Sequence, residues 1–179
     1  MTTQSAVENH LQNLLAKFEP YVLSQEEEKA VERNPEGFIA QKLLRKKFRK
    51  QKLYPDTVKD ITNKISQSVK ENKPIHFTIP FGGYKHFWNP SHPYPDWAEV
   101  FTLKFLAEWV APVLAVYKPG VIIEFISEGV ILPRMDNYPD DAIEQYSQEF
   151  TALLGIFKKY LPQNIDISFF RIEDRYDKN

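Results

Sequence analysis

Apolar residues in the first quarter of the chain recur at helical spacing. Val7, Leu11, Leu14, Leu15, Phe18, Val22 and Leu23 predict one helix over 4–23, ended or kinked by Pro20, which lacks an N–H and clashes with the preceding turn. Ser24 followed by Glu27 is a capping-box pair and predicts a short helix over 25–33. Asn34-Pro35-Glu36-Gly37 reads as a turn. A cationic helix is then expected from Phe38 to Leu53, with Ile39, Leu43, Leu44 and Phe48 as its apolar stripe. Pro55 and Asp56 open another helix, with Val58, Ile61, Ile65 and Val69 facing inward.

After Pro74 the period changes. Ile75 to Ile79 alternates with period two and predicts a first strand. A loop of fifteen residues follows, Pro80 to Tyr94, long enough to be functional or mobile. Pro95 is expected in the first turn of the next helix, where Asp96 and Glu99 suit the positive end of the helix dipole. That helix buries Val100, Leu103, Leu106, Ala107, Val110, Val113, Leu114 and Tyr117. Phe105, Trp109 and Val116 make its other side apolar, so it is expected to be covered around much of its circumference. Val121 to Ile126 is a near-continuous apolar run, the pattern of a central parallel strand covered on both faces. Asp140 to Leu161 forms a helix on Ile143, Tyr146, Phe150, Leu153, Leu154 and Phe157, and Ile165 to Ile172 a third strand. This order predicts an α/β, Rossmann-like three-layer fold: a short, mostly parallel sheet over 73–179, with a helical N-terminal extension, 1–72, packed on the same domain.

Composition narrows the chemistry. The 179 residues are one domain's worth, and 42% hydrophobic with 26% charged content is ordinary for a globular protein. Without cysteine there is no disulfide or thiol nucleophile, which fits a reducing cytoplasm. The N-terminus has no basic region followed by an apolar run, so no signal peptide is expected. Pro112, Lys118, Pro119, Gly120 and Glu124 interrupt the most apolar segment, which argues against a membrane span. Residues 1–72 carry 13 Lys/Arg against 10 Asp/Glu and the remainder 10 against 14; seven of the cations lie in Gln41–Lys52. These sit on the solvated side of the predicted cationic helix, and the pI is about 6.4, so the expectation runs against nucleic acid.

In an open parallel sheet a ligand binds beyond the carboxyl ends of the strands. Those ends supply Gly82, Gly83, Tyr84, Lys85 and His86 after the first strand, Ser127 and Glu128 after the second, and Arg171, Glu173 and Asp174 after the third, with Asp96 and Glu99 on the same rim. Lys85, Asp96, Glu99 and Glu128 are the candidate catalytic residues. Gly82, Gly83, Tyr84, His86, Ser127 and Arg171 are the candidate substrate contacts, for a polar, phosphorylated or amino-acid metabolite. Gly82-Gly83 matches neither phosphate-loop pattern. His86, His92, Asp96 and Glu99 match no metal signature, so no metal or cofactor is expected, and Ser127 has no identifiable partner base. A second reading stays open: a non-catalytic α/β interaction domain that docks a protein or nucleic acid through its aromatic loop or basic helix. The oligomeric state is not legible.

The order of these residues carries a resemblance. Pro80-Phe81 with Lys85, Pro95-Asp96 and Glu99 at a helix start, Leu103 and Leu106, Tyr117 with Pro119-Gly120, the turn Ser127-Glu128-Gly129, and Asp141 with Tyr146 follow one another at matching distances. Over Pro74 to Tyr146, less than half of the chain, this resembles the pyoverdine/dityrosine biosynthesis family, which includes the isonitrile synthases. The resemblance implies a Rossmann-like fold and a reaction joining an amino acid's nitrogen to a carbon from ribulose 5-phosphate. It implies that Lys85 holds a phosphate or carbonyl, and that Asp96, Glu99 and Glu128 handle protons or the amino group. Here the lysine stands in GGYKHFW rather than closer to Pro-Phe, and Glu128 replaces the family's aspartate.

Overall fold

The computed structural model describes residues 13, 20–48, 51–82, 85, 88–127, 135 and 137–176, the side chains of 175 and 176 excepted. Most of the helix predicted over 4–23 lies outside the described residues. The capping-box helix forms as α1, Gln25–Arg33, with Ser24 Oγ accepting from Glu27 N and Glu27 returning the bond to Ser24 N. The predicted turn is tighter than expected. Asn34 ends α1 and also caps α2, Pro35–Leu43, by accepting from Gly37 N at 2.9 Å, so Pro35 to Gly37 form a first helical turn.

Glu27 fastens α1 to α2 by pairing with Lys42, and also accepts from Tyr21 Oη at 2.6 Å. The Lys42 hydrogen bond, with those of Tyr21 and Ser24, holds its carboxyl at about 2 rather than 4.5. A depressed folded-state value stabilises the protein above the unfolded value, and this contribution disappears as pH falls through the folded one. Between pH 4.5 and about 2 the wild type is therefore expected to lose stability more steeply than Glu27→Gln, read as melting temperature against pH.

The cationic helix is not continuous. α2 ends at Leu43 and a single 3₁₀ turn, Lys46–Phe48, follows. Tertiary partners take over the helix end: Trp109 Nε1 donates to Leu43 O at 2.9 Å, while Arg45 donates to Lys42 O at 2.9 Å and to Trp109 O at 3.1 Å. Extending the helix would also stack like charges one turn apart. α3, Pro55–Lys70, follows its predicted pattern, with Ile65 buried.

The sheet has order β1-β2-β3, all parallel: β1 Ile75–Phe81, β2 Val121–Ser127 and β3 Ile165–Arg171. β1 runs two residues past its predicted end, through Pro80. An edge strand tolerates proline because one side of it makes no ladder. α4, Trp97–Leu114, and α5, Asp140–Lys158, connect the strands. Both cover the same face, as right-handed crossovers in this strand order require. Phe77 meets Trp109 of α4 at 4.8 Å, and Phe81, Phe125 and Phe169 meet Phe150 of α5 at 4.6, 5.5 and 5.3 Å. β2 alternates accordingly. Val121, Ile123, Phe125 and Ser127 are buried, whereas Ile122, Glu124 and Ile126 are only half-buried, so the strand is not enclosed on both faces.

Two further expectations are corrected. Pro95 precedes the helix cap, Asp96, instead of lying in the first turn. On the other side of α4, Trp109 packs on the core, as does Val116 just beyond the helix, but Phe105, expected to be covered, stays exposed with Trp97 and Phe101. The turn before β2 requires glycine, since Gly120 has φ +74° and a Cβ there would lie 1.7 Å from Asn164 O. One core joins Phe38, Ile39 and Ile65 of the N-terminal helices to α4, α5 and the sheet.

Candidate functional site

The three strands end in register, with Phe81, Ser127 and Arg171 side by side, so their carboxyl ends form one rim. Beneath it the rings of Phe81, Phe125, Phe150 and Phe169 form a packed aromatic floor. Above the β1 end, the start of α4 supplies two carboxylates through its own capping box. Asp96 Oδ1 accepts from Ala98 N at 2.8 Å, and Glu99 Oε2 accepts from Asp96 N at 2.7 Å. Capping accounts for these bonds and predicts nothing further.

What capping does not require is the company of the remaining oxygens. Lys85 Nζ lies 2.7 Å from Glu99 Oε1 and 3.3 Å from Asp96 Oδ2. Tyr146, from the second turn of α5, donates its hydroxyl to the same Glu99 Oε1 at 3.0 Å. Ser91 Oγ donates to Asp96 Oδ2 at 2.7 Å. Glu99 is 7% exposed and Tyr146 1%. The cluster therefore sets one cation against two carboxylates in a largely dry site, where their attraction is far stronger than in water.

Burial pushes the Asp96 carboxyl up, but hydrogen bonds from the Ala98 amide, Ser91 and Lys85 outweigh it and hold the group below the usual carboxylate range. Asp96 is thus a fixed anion near neutral pH. Burial first, and the charge of Glu99 next, push the Tyr146 hydroxyl above its ordinary value, so it remains a proton-bearing donor.

Arg171 is engaged elsewhere, with Glu144 at 2.8 Å, Asp174 at 3.4 Å and Glu173 at 3.6 Å. Both carboxylate oxygens of Glu173 are buried without a hydrogen bond, and the Arg171 charge is their compensation. Ser127 is buried at the end of β2. A Cβ at Gly82 would meet nothing within 4 Å, so space does not demand glycine there. Glu128, Gly83, Tyr84 and His86 lie outside the described residues. His92 packs beside Tyr138, with ring centroids 5.5 Å apart. Among the described residues no group of three or more His, Asp or Glu is placed to hold a metal ion. No described helix is long and apolar enough to cross a membrane.

Tyr146 and Ser91 belong to the cluster although neither was a candidate site residue: the strand-end rule selects neither, and Tyr146 entered only with Asp141 in the family resemblance. Tyr146 reads as one more member of the α5 apolar stripe. The available signal was its hydroxyl, because a tyrosine centred on a buried stripe needs a polar partner.

Comparison with known proteins follows the same geometry. Residues 65–179 match the model of the family described as pyoverdine/dityrosine biosynthesis protein. The L-tryptophan isonitrile synthase AmbI2 of Fischerella ambigua (strain UTEX 1903) is 28% identical over 151 residues, which cover 77% of this chain and 44% of that protein. AmbI1 of the same organism, also an L-tryptophan isonitrile synthase, is 28% identical over 131 residues, covering 65% and 41%. The crystal structure of PvcA from Pseudomonas aeruginosa superposes with a TM-score of 0.62 at 23% identity, over 78% of this chain and 46% of that one, a likeness of fold. The chain thus spans less than half the length of the curated relatives it matches. With 65–179 accounted for by the family model, the chain belongs to the pyoverdine/dityrosine biosynthesis protein family.

Proposed function

We propose that this chain carries an isonitrile synthase-like site for a polar metabolite, an amino acid or a sugar phosphate, and takes part in forming a carbon–nitrogen bond as a transferase or lyase. The observation that supports this reading is the convergence of Lys85 and Tyr146 on Glu99 Oε1, beside Asp96, at the carboxyl end of β1. Two of the three ammonium hydrogens of Lys85 are used by Glu99 and Asp96, which leaves one for a carbonyl or phosphate oxygen of the substrate. Asp96, a fixed anion, attracts and orients a substrate amine. Glu99 is the group through which a proton moves, with Tyr146 holding its carboxylate in place. Glu128, which follows Ser127 in the sequence, is assigned to the catalytic set by the same reading, and Gly82, Gly83, Tyr84, His86, Ser127 and Arg171 to substrate contact.

The test is thermal stabilisation of wild type and Lys85→Ala by amino acids and sugar phosphates. A ligand bound to the native state raises its melting temperature by mass action, by about 2.7 kcal/mol of stability at a hundredfold excess over Kd. Stabilisation by a member of either class, lost in Lys85→Ala, is expected. Equal stabilisation of both proteins, or of neither, removes Lys85 from the site.

A further inference from the structure

α4 is apolar on two sides, and one of them faces the core. Val100, Leu103, Ala107 and Val110 point into the core, while Trp97 is 43%, Phe101 56% and Phe105 43% exposed. These three aromatics stand four residues apart, so they form a single ridge rising about 6 Å per step along the helix. The rings of Trp97 and Phe101 are 6.1 Å apart. At the other end Phe105 meets Phe48 at 5.1 Å, which carries the ridge onto the 3₁₀ turn.

The segment that carries Phe48 has charge of one sign. Lys46, Lys47 and Lys52 are exposed, and no acidic residue occurs between Gly37 and Pro55. Arg45 lies 4.6 Å and Lys47 5.3 Å from the Phe48 ring centroid, so the cations are seated against the aromatic ridge itself. The one nearby carboxylate on α4, Glu108, is paired with Lys104 at 3.0 Å.

We propose that this ridge, Phe101 and Phe105 flanked by Trp97 and Phe48 and rimmed by Lys46 and Lys47, docks an acidic amphipathic helix of a partner protein. An exposed apolar ridge bordered by charge is the ordinary form of a protein-binding surface. Ridges of side chains spaced by one helical turn pack into the grooves of a second helix. The cations set that helix's polar face as acidic, because charge complementarity steers the encounter and excludes basic partners. Single-stranded nucleic acid fits less well. It needs free ring faces for stacking, whereas Phe48 is already flanked by Arg45, Lys47 and Phe105.

The experiment is fluorescence anisotropy of a labelled helical peptide of about 18 residues, with leucine along one face and glutamate on the other. The same peptide with lysine for glutamate, an oligothymidylate and phosphatidylserine vesicles serve as competitors and controls. Phe101→Ser/Phe105→Ser and Lys46→Glu/Lys47→Glu change exposed residues only, so unchanged circular dichroism verifies their fold. Saturable binding of the acidic peptide is expected, weakened by high salt and by about tenfold in either double variant, with Lys85→Ala binding as wild type. No saturable binding to about 1 mM, equal binding of the lysine peptide or of the variants, or preference for oligonucleotide or vesicles overturns the proposal.

Discussion

Glu99→Ala is expected to lower the unfolding free energy by roughly 3 to 5 kcal/mol, the usual consequence of removing one partner from a buried ion pair. Three donors lose their acceptor together: Lys85 Nζ, the Tyr146 hydroxyl and the Asp96 amide. Tyr146 then keeps a polar hydrogen where no water reaches it, and such an orphaned group alone costs about 1 to 3 kcal/mol. Lys85 keeps Asp96, 3.3 Å away, as its remaining partner. Glu99→Gln separates charge from capping. Its amide oxygen can still accept from Asp96 N, so it is expected to retain about half of the lost stability while failing to neutralise Lys85. Urea unfolding of the three proteins measures this directly. A loss below about 1 kcal/mol in Glu99→Ala would falsify the buried network as a structural unit. Melting-temperature shifts with metabolites in the folded Glu99→Gln protein then separate binding from folding.

Phe150→Ala is expected to be as damaging, by about 3 to 5 kcal/mol, for a different reason. The ring is 1% exposed and sits at the centre of the aromatic floor, stacked on Phe81 at 4.6 Å and edge-on to Phe125 and Phe169. Its removal leaves a cavity bounded by all three strands. Tyr146 lies parallel to it at 6.1 Å, so the cavity also loosens the donor that holds Glu99. The expected signature is therefore double: lower stability and weaker metabolite stabilisation of the fraction that remains folded. Phe150→Leu, which refills much of the volume, should recover over half of both. Phe101→Ala, on the exposed side of α4, should move stability by no more than about 0.5 kcal/mol. A comparable loss at Phe101 would mean that the ridge is already covered.

The two sides of α4 explain why the composition of a helix does not give its surroundings. Its capping box and core-facing residues were legible from periodicity, because caps and apolar spacing depend on neighbours within one or two turns. Phe105 was read as covered, since an aromatic position looks the same in sequence whether it meets a core or solvent. The basic segment failed for a related reason: Leu43 O found the indole of Trp109, 66 residues away, and the helix ended there.

At the site, the sequence determined by itself that a lysine loop and a Pro-Asp-x-x-Glu helix start would share the carboxyl edge of a parallel sheet. That followed from strand order and right-handed connection, which are properties of local pattern. Only the tertiary structure decided that Lys85 pairs with Glu99 and Asp96 and that Tyr146 joins them from α5. Pairing depends on which charges are enclosed together in one dry space. The packing of α4 and α5 onto the strand ends sets that enclosure, and no spacing along the chain records it.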